Sequence, residues 1–162
     1  MHIRHGIAAD CATINKVEIS AGALFIGTHM EWAAGEITPA DVLMKAAQTN
    51  QLWIAAQENI LIGFLLSDVC GGDFYIKEVA VDPVHQRRGV GRALIEAALG
   101  AAKNRGFRAV TLTTDRILAW NAPYYERLGF CILKADETPA ALAATLAAEI
   151  NPQNRCAMRK SL

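Results

Sequence analysis

Apolar positions first bracket a short polar stretch over residues 3–7, a segment that suits an edge strand. Asp10 can then cap a helix carrying Ile14, Val17 and Glu18. Thr38-Pro39-Ala40-Asp41 announces a second helix, with Thr as N-cap, Pro at the first helical position and an acid in the first turn. Residues 52–56 and 60–66 are strand-like and joined by the polar Gln57-Glu58-Asn59, which makes a hairpin. Gly71-Gly72-Asp73 then turns the chain into a strand over 74–81.

Helical spacing returns over about residues 91–105, where Leu94, Ala97, Ala98, Ala101 and Ala102 share a face, basic residues fill the last turn and Gly106 is a stop. A strand over 107–113 follows, so strand, glycine loop, helix and strand form a right-handed crossover between parallel neighbours. Residues 123–128 form a short helix ended by Gly129, residues 130–134 a strand, Thr138-Pro139 opens an Ala-rich helix, and 155–160 is the last strand. No repeat or low-complexity segment interrupts this order.

A length of 162 residues suits one domain with a real core. With 16 basic against 16 acidic side chains, a nucleic-acid-coating role is excluded, although His85-Gln86-Arg87-Arg88 makes a local basic patch fit for a small polyanion. Cys11, Cys70, Cys131 and Cys156 are far apart, form no zinc-type pattern, and read as buried free thiols. Neither an export signal nor a membrane-spanning run is present, so the expectation is a cytoplasmic protein that engages no membrane and no nucleic acid and needs no metal.

The stretch from Val79 to Ala93 runs from a strand through a glycine loop into a helix. Glycines let backbone approach a ligand, and the first helix amides have no intrahelical partner and sit at the positive end of the dipole. A pyrophosphate suits such a place, while an ordinary tight turn fits the glycines alone. The loop lacks the Lys-Ser/Thr ending of a nucleotide-triphosphate loop and the third glycine of the dinucleotide fingerprint.

Val79-Ala80-Val81-Asp82-Pro83 followed by Gln86-Arg87-Arg88-Gly89-Val90-Gly91 resembles the coenzyme A motif of the GNAT N-acetyltransferases. Tyr125-Glu126-Arg127-Leu128-Gly129-Phe130 resembles the family's Tyr-Glu-x-x-Gly-Phe segment, and the likeness covers about residues 52–130. It implies an α/β GNAT fold, a mixed central sheet with helices on both faces, as a single domain over 1–162. It also implies an acetyltransferase that takes acetyl-coenzyme A as co-substrate and acts by direct attack in a ternary complex. The acceptor it implies is a primary amine, expected of a small molecule; a protein or peptide amine and a non-catalytic coenzyme A sensor are the alternatives. A homodimer is compatible with all three.

In the family the strand matching Val79, Ala80 and Val81 offers backbone groups to the pantetheine arm, and an amide there polarises the thioester carbonyl. The resemblance gives Gln86, Arg87, Arg88, Gly89, Val90, Gly91 and Arg92 to the phosphates, although the arginines also suit a solvated basic face. Tyr125 matches the tyrosine that protonates the leaving thiolate; a ring packing a short helix is the plainer reading. Glu78 is the first candidate for the base that takes the amine proton, against a surface or salt-bridged glutamate, and Asp115 the second. The family's coenzyme-contacting Asn is Leu118 here; Asn121 stands nearby as a candidate contact and also suits the cap of the short helix. Acceptor pockets in the family come from regions matching residues 18–32 and 135–159, where Phe25, Met30 and Trp32 line a cleft or pack the core, with core expected.

Overall fold

A computed structural model describes residues 1–162. Its strands are β1 (His2–His5), β2 (Leu52–Gln57), β3 (Ile60–Cys70), β4 (Asp73–Val81), β5 (Ala109–Asp115), β6 (Cys131–Ile132) and β7 (Arg155–Ser161). Its helices are α1 (Cys11–Gly22), α2 (Ala40–Gln48), α3 (Val90–Asn104), α4 (Ala122–Arg127) and α5 (Ala140–Ala147). The fold is α/β, with one mixed seven-stranded sheet in the order β1-β2-β3-β4-β5-β7-β6. Contacts group the chain into two compact units, Met1–Ser67 with Glu78–Ala98, and Asp68–Lys77 with Leu99–Leu162, and the division falls within β3, β4 and α3 rather than in a linker.

In the first unit β1 and β2 pair antiparallel from His2↔Ala56 to His5↔Trp53, and β2 continues into β3 as the expected hairpin. Its turn places Glu58 at φ 51° and Asn59 at φ 66°, the two left-handed residues that a two-residue turn matching strand twist requires. The β2–β3 register slips once, from Ala55↔Gly63 to Ala56↔Leu61, so Ile62 is an extra residue on β3. Ile14 and Val17 of α1, Leu43 and Ala46 of α2, and Leu52, Ile54, Phe64 and Leu66 of the hairpin share one core with Ala80.

Two helix starts differ from the sequence expectation. Asp10 makes no side-chain cap on α1; its carboxylate takes two bonds from the Arg4 guanidinium, each 2.7 Å, and one from the Ile7 amide. Those bonds from Arg4 hold the Asp10 carboxyl below its usual range. Likewise α2 begins after Pro39, whose carbonyl accepts the Val42 and Leu43 amides, while Thr38 lies one residue too early and is bonded elsewhere.

The second unit opens on the turn joining β3 to β4, with Gly71 at φ 58° and Gly72 at φ 87°. β4 and β5 run parallel, Phe74↔Val110 to Ile76↔Leu112, as a crossover requires. β7 then pairs antiparallel with all of β5, and β6 with β7. β5 starts at Ala109 because Phe107 packs edge-on against Phe74 at 5.6 Å, with the Arg105 guanidinium over both rings. Tyr75, Leu142 and Ala157 form a core beside a polar chain in which the Tyr75 hydroxyl meets Thr113 at 2.7 Å, Thr113 meets Glu149, and Glu149 pairs with Arg155.

The cysteines are free, but not all are buried: Cys11 and Cys156 are, Cys70 is half-buried and Cys131 is exposed on the two-residue edge strand. Met30 is buried as expected, whereas Phe25 is half-buried and Trp32 exposed. No helix is long and apolar enough to cross a membrane.

Candidate active site

In the first unit the end of β4 sets the orientation of its peptide groups. The Asp82 amide donates to the Ile62 carbonyl at 2.9 Å, and the Ala80 carbonyl lies 2.9 Å from where a Cβ on Gly63 would stand. Peptide groups alternate sides along a strand, so those of Ala80 and Asp82 face β3 while those of Val79 and Val81 face away from it. Only a residue without a side chain at position 63 allows so close an approach. Ala80 is buried in the core and Val79 and Val81 are half-buried, so Ala80 supports the strand while its two neighbours present backbone.

The chain then enters the loop by a tight route. The Asp82 side chain accepts the Val84 amide at 3.0 Å and starts a single turn, Pro83–His85. Gln86 reaches back, donating from Nε2 to the Val81 carbonyl at 2.9 Å, which ties the loop to the strand end. Arg87 at φ 58° and Gly89 at φ 82° are both left-handed, and the Ala93 amide closes the first α3 bond on the Gly89 carbonyl at 2.9 Å. The amides of Val90, Gly91 and Arg92 therefore precede the first intrahelical bond. A Cβ on Gly89 would meet nothing within 4 Å, so its dihedral rather than crowding calls for glycine. Arg87 and Arg88 are exposed, and Arg92 is engaged with Glu96 one turn on, at 2.7 Å.

Glu78, on the same strand, is half-buried and its Oε2 lies 3.0 Å from the Thr38 hydroxyl. That hydroxyl donates to Oε1 of the buried Glu18 at 2.5 Å, and the Thr38 amide donates to both Glu18 oxygens at 3.0 and 3.1 Å. Neither Glu18 nor Thr38 stood out as functional in the sequence. One signal was there: Glu18 follows Ile14 and Val17 at the spacing of a buried helix face, where an acid needs a partner.

In the second unit, α4 presents Tyr125. Asn121 occupies the N-cap position, but its side chain makes no capping bond; its carbonyl accepts the Tyr124 and Tyr125 amides at 2.8 and 3.2 Å. After α4, Gly129 at φ 87° folds the chain back so that the Phe130 amide bonds the Tyr125 carbonyl at 3.1 Å. Phe130 then packs edge-on against the Tyr125 ring at 5.8 Å, and Tyr124 does so at 5.5 Å. Asp115 is buried and its Oδ1 accepts the Ile117 and Leu118 amides at 2.8 and 2.7 Å, which anchors the turn after β5. No group of three or more His, Cys, Asp or Glu side chains is arranged to hold a metal ion.

The model of the acetyltransferase (GNAT) family matches residues 25–130 of this chain, a span that holds both motifs. The chain belongs to the GNAT family. It is similar to the [ribosomal protein bS18]-alanine N-acetyltransferase of Escherichia coli K12, 32% identical over 74 residues, or 46% of this chain and 50% of that protein. The chain thus matches about half the length of this curated relative. Among solved structures it resembles the PaiA N-acetyltransferase of Thermoplasma acidophilum in complex with coenzyme A, with a TM-score of 0.75, 17% identity and 99% and 98% of the two chains covered. The N-acetylglutamate synthase of Neisseria gonorrhoeae, complexed with coenzyme A and N-acetyl-glutamate, aligns at a TM-score of 0.78 and 17% identity, over 99% of this chain and 35% of that one. At these identities the structural likeness speaks to the fold.

Proposed function

We propose that this GNAT enzyme acetylates the primary amine of a small molecule by direct attack in a ternary complex. The donor half of the reading rests on one observation: outward-facing peptide groups at Val79 and Val81 lead, through a left-handed turn, into the N-terminus of α3. In this reading those peptide groups pair with the pantetheine arm, and an amide there polarises the thioester carbonyl. The Gly89, Val90 and Gly91 amides take the pyrophosphate, and Gln86 keeps their loop on the strand. Arg87 and Arg88 add charge, with a smaller share for Arg92, already paired with Glu96. Asn121, whose carbonyl accepts the first α4 amides, keeps its place as a candidate coenzyme contact.

In the transfer step the amine nitrogen attacks the thioester carbon, its proton passes to Glu78, and the C–S bond breaks with Tyr125 protonating the departing sulfur. The acceptor half rests on Glu78, half-buried and 3.0 Å from the Thr38 hydroxyl on the segment between α1 and α2. The likeness to the bS18-alanine enzyme favours a second reading, the N-terminal amine of a protein. Free thiols throughout suit a reducing compartment such as the cytoplasm.

Thiol release from acetyl-coenzyme A, measured against polyamines, amino acids, aminoglycosides and an alanine-initiated peptide, tests these readings. Turnover with a small amine supports the first, and turnover with the peptide alone supports the second. Binding of acetyl-coenzyme A with no release for any amine would make the chain a sensor and sink both.

A further inference from the structure

Thr38 carries one hydroxyl proton and stands between two carboxyl groups. Its Oγ1 lies 2.5 Å from Glu18 Oε1 and 3.0 Å from Glu78 Oε2. A hydroxyl donates one hydrogen bond and accepts others, whereas an ionised carboxylate accepts only. Glu18, 4% exposed, holds both the Thr38 amide and, at the shorter distance, its hydroxyl proton. With that proton committed to Glu18, the contact to Glu78 is a hydrogen bond when Glu78 carries a proton and donates it to the Thr38 oxygen; with the Thr38 proton turned to Glu78, Glu18 is the group that carries one. In the first arrangement an ionised Glu78 leaves oxygen facing oxygen without a proton between them.

We propose that Glu18 and Thr38 are positioning residues that polarise this chain so that Glu78 receives the proton of the attacking amine. The inference rests on the proposed role of Glu78 as base and adds how the base is set. The amine N–H bond breaks, an O–H bond forms on Glu78, and that hydrogen is accepted by Thr38, whose own proton remains on the Glu18 bond. Placing a donor at position 18 reverses the chain. In Glu18→Gln the amide oxygen can keep the Thr38 backbone bond while its NH₂ donates to the Thr38 hydroxyl, which sends the hydroxyl proton to Glu78 and favours the ionised form.

Infrared difference spectra of the full-length protein through an acid titration test this without any acceptor. The protonated-carboxyl band lost in Glu78→Gln is that of Glu78. It is expected to move to higher frequency in Thr38→Val, which keeps the shape and the backbone bond to Glu18, and to return in Thr38→Ser. The same band position in wild type and Thr38→Val, or no band lost in Glu78→Gln, overturns the proposal. Turnover with the best amine among spermidine, lysine and an alanine-initiated peptide gives a second readout: kcat falls about tenfold or more in Thr38→Val and Glu18→Gln, KM for acetyl-coenzyme A stays within about twofold, and Thr38→Ser restores kcat. Wild-type turnover in Glu78→Gln removes the base reading itself. A slow Glu78→Gln beside wild-type turnover in both Thr38→Val and Glu18→Gln removes only this inference.

Discussion

Tyr125 is gripped by the edges of Tyr124 and Phe130, contacts that need its ring and not its hydroxyl. Tyr125→Phe is therefore expected to fold and to bind acetyl-coenzyme A as wild type does, while turnover falls about tenfold to a hundredfold, near the lower end of general-acid effects because a thiolate leaves readily. Steady-state kinetics beside a ligand-dependent melt check it; equal loss of both would make the residue structural. Gly63 offers a different kind of test. An added Cβ would meet the Ala80 carbonyl at 2.9 Å and Val81 Cγ2 at 3.2 Å, both at the presenting end of β4. Gly63→Ala is expected to cost about 1–3 kcal/mol and to weaken acetyl-coenzyme A binding, read from denaturant midpoints and calorimetry. Unchanged values would show that the strand end yields. Loop and tyrosine were legible in the sequence because their residues lie in contiguous runs. Glu18, Thr38 and Glu78 were not read together because 20 and 40 positions separate Thr38 from its two partners, and no local pattern spans such gaps.

Elements were legible where a turn announced them and less so where packing set their ends. Both hairpin turns fell where polar or glycine pairs stood, but the pair Glu58 and Asn59 pays conformational strain that Gly71 and Gly72 avoid. Replacing both, Glu58→Asn with Asn59→Gly, gives the favoured pair for this turn and is expected to stabilise by about 1 kcal/mol. A higher urea midpoint with unaltered acetyl-coenzyme A affinity would bear this out, and a lower one would show that the Glu58 side chain matters. The start of β5 slipped by two residues because an edge-on ring contact claims Phe107, a tertiary contact that alternation cannot announce. β4 itself works by parity. A single inserted residue before Glu78 would turn the peptide groups of Val79 and Val81 toward β3, whereas exchanging either valine for isoleucine leaves the presented backbone as it is.

For the molecule as a whole, a donor that binds the native state alone shifts unfolding by mass action, about 2.7 kcal/mol at a hundredfold excess over its dissociation constant. Thermal melts with acetyl-coenzyme A are expected to rise accordingly, and Gly89→Asp to abolish the rise, since it strains a residue at φ 82° and puts a negative charge before the helix N-terminus. A full rise in that variant would place the phosphates elsewhere. Fold class was legible at this scale because strand, loop, helix and parallel strand admit few arrangements. Thiol burial was not, since the apolar neighbours of Cys131 say nothing of its place on a sheet edge. That exposure bears on how the oligomeric state is measured. Burial pushes the Cys11 and Cys156 thiols up and hides them, so air oxidation in a reductant-free buffer falls first on Cys131. Two chains joined there would migrate as a dimer that owes nothing to surface complementarity, and only association that persists in dithiothreitol, or in Cys131→Ser, belongs to the fold.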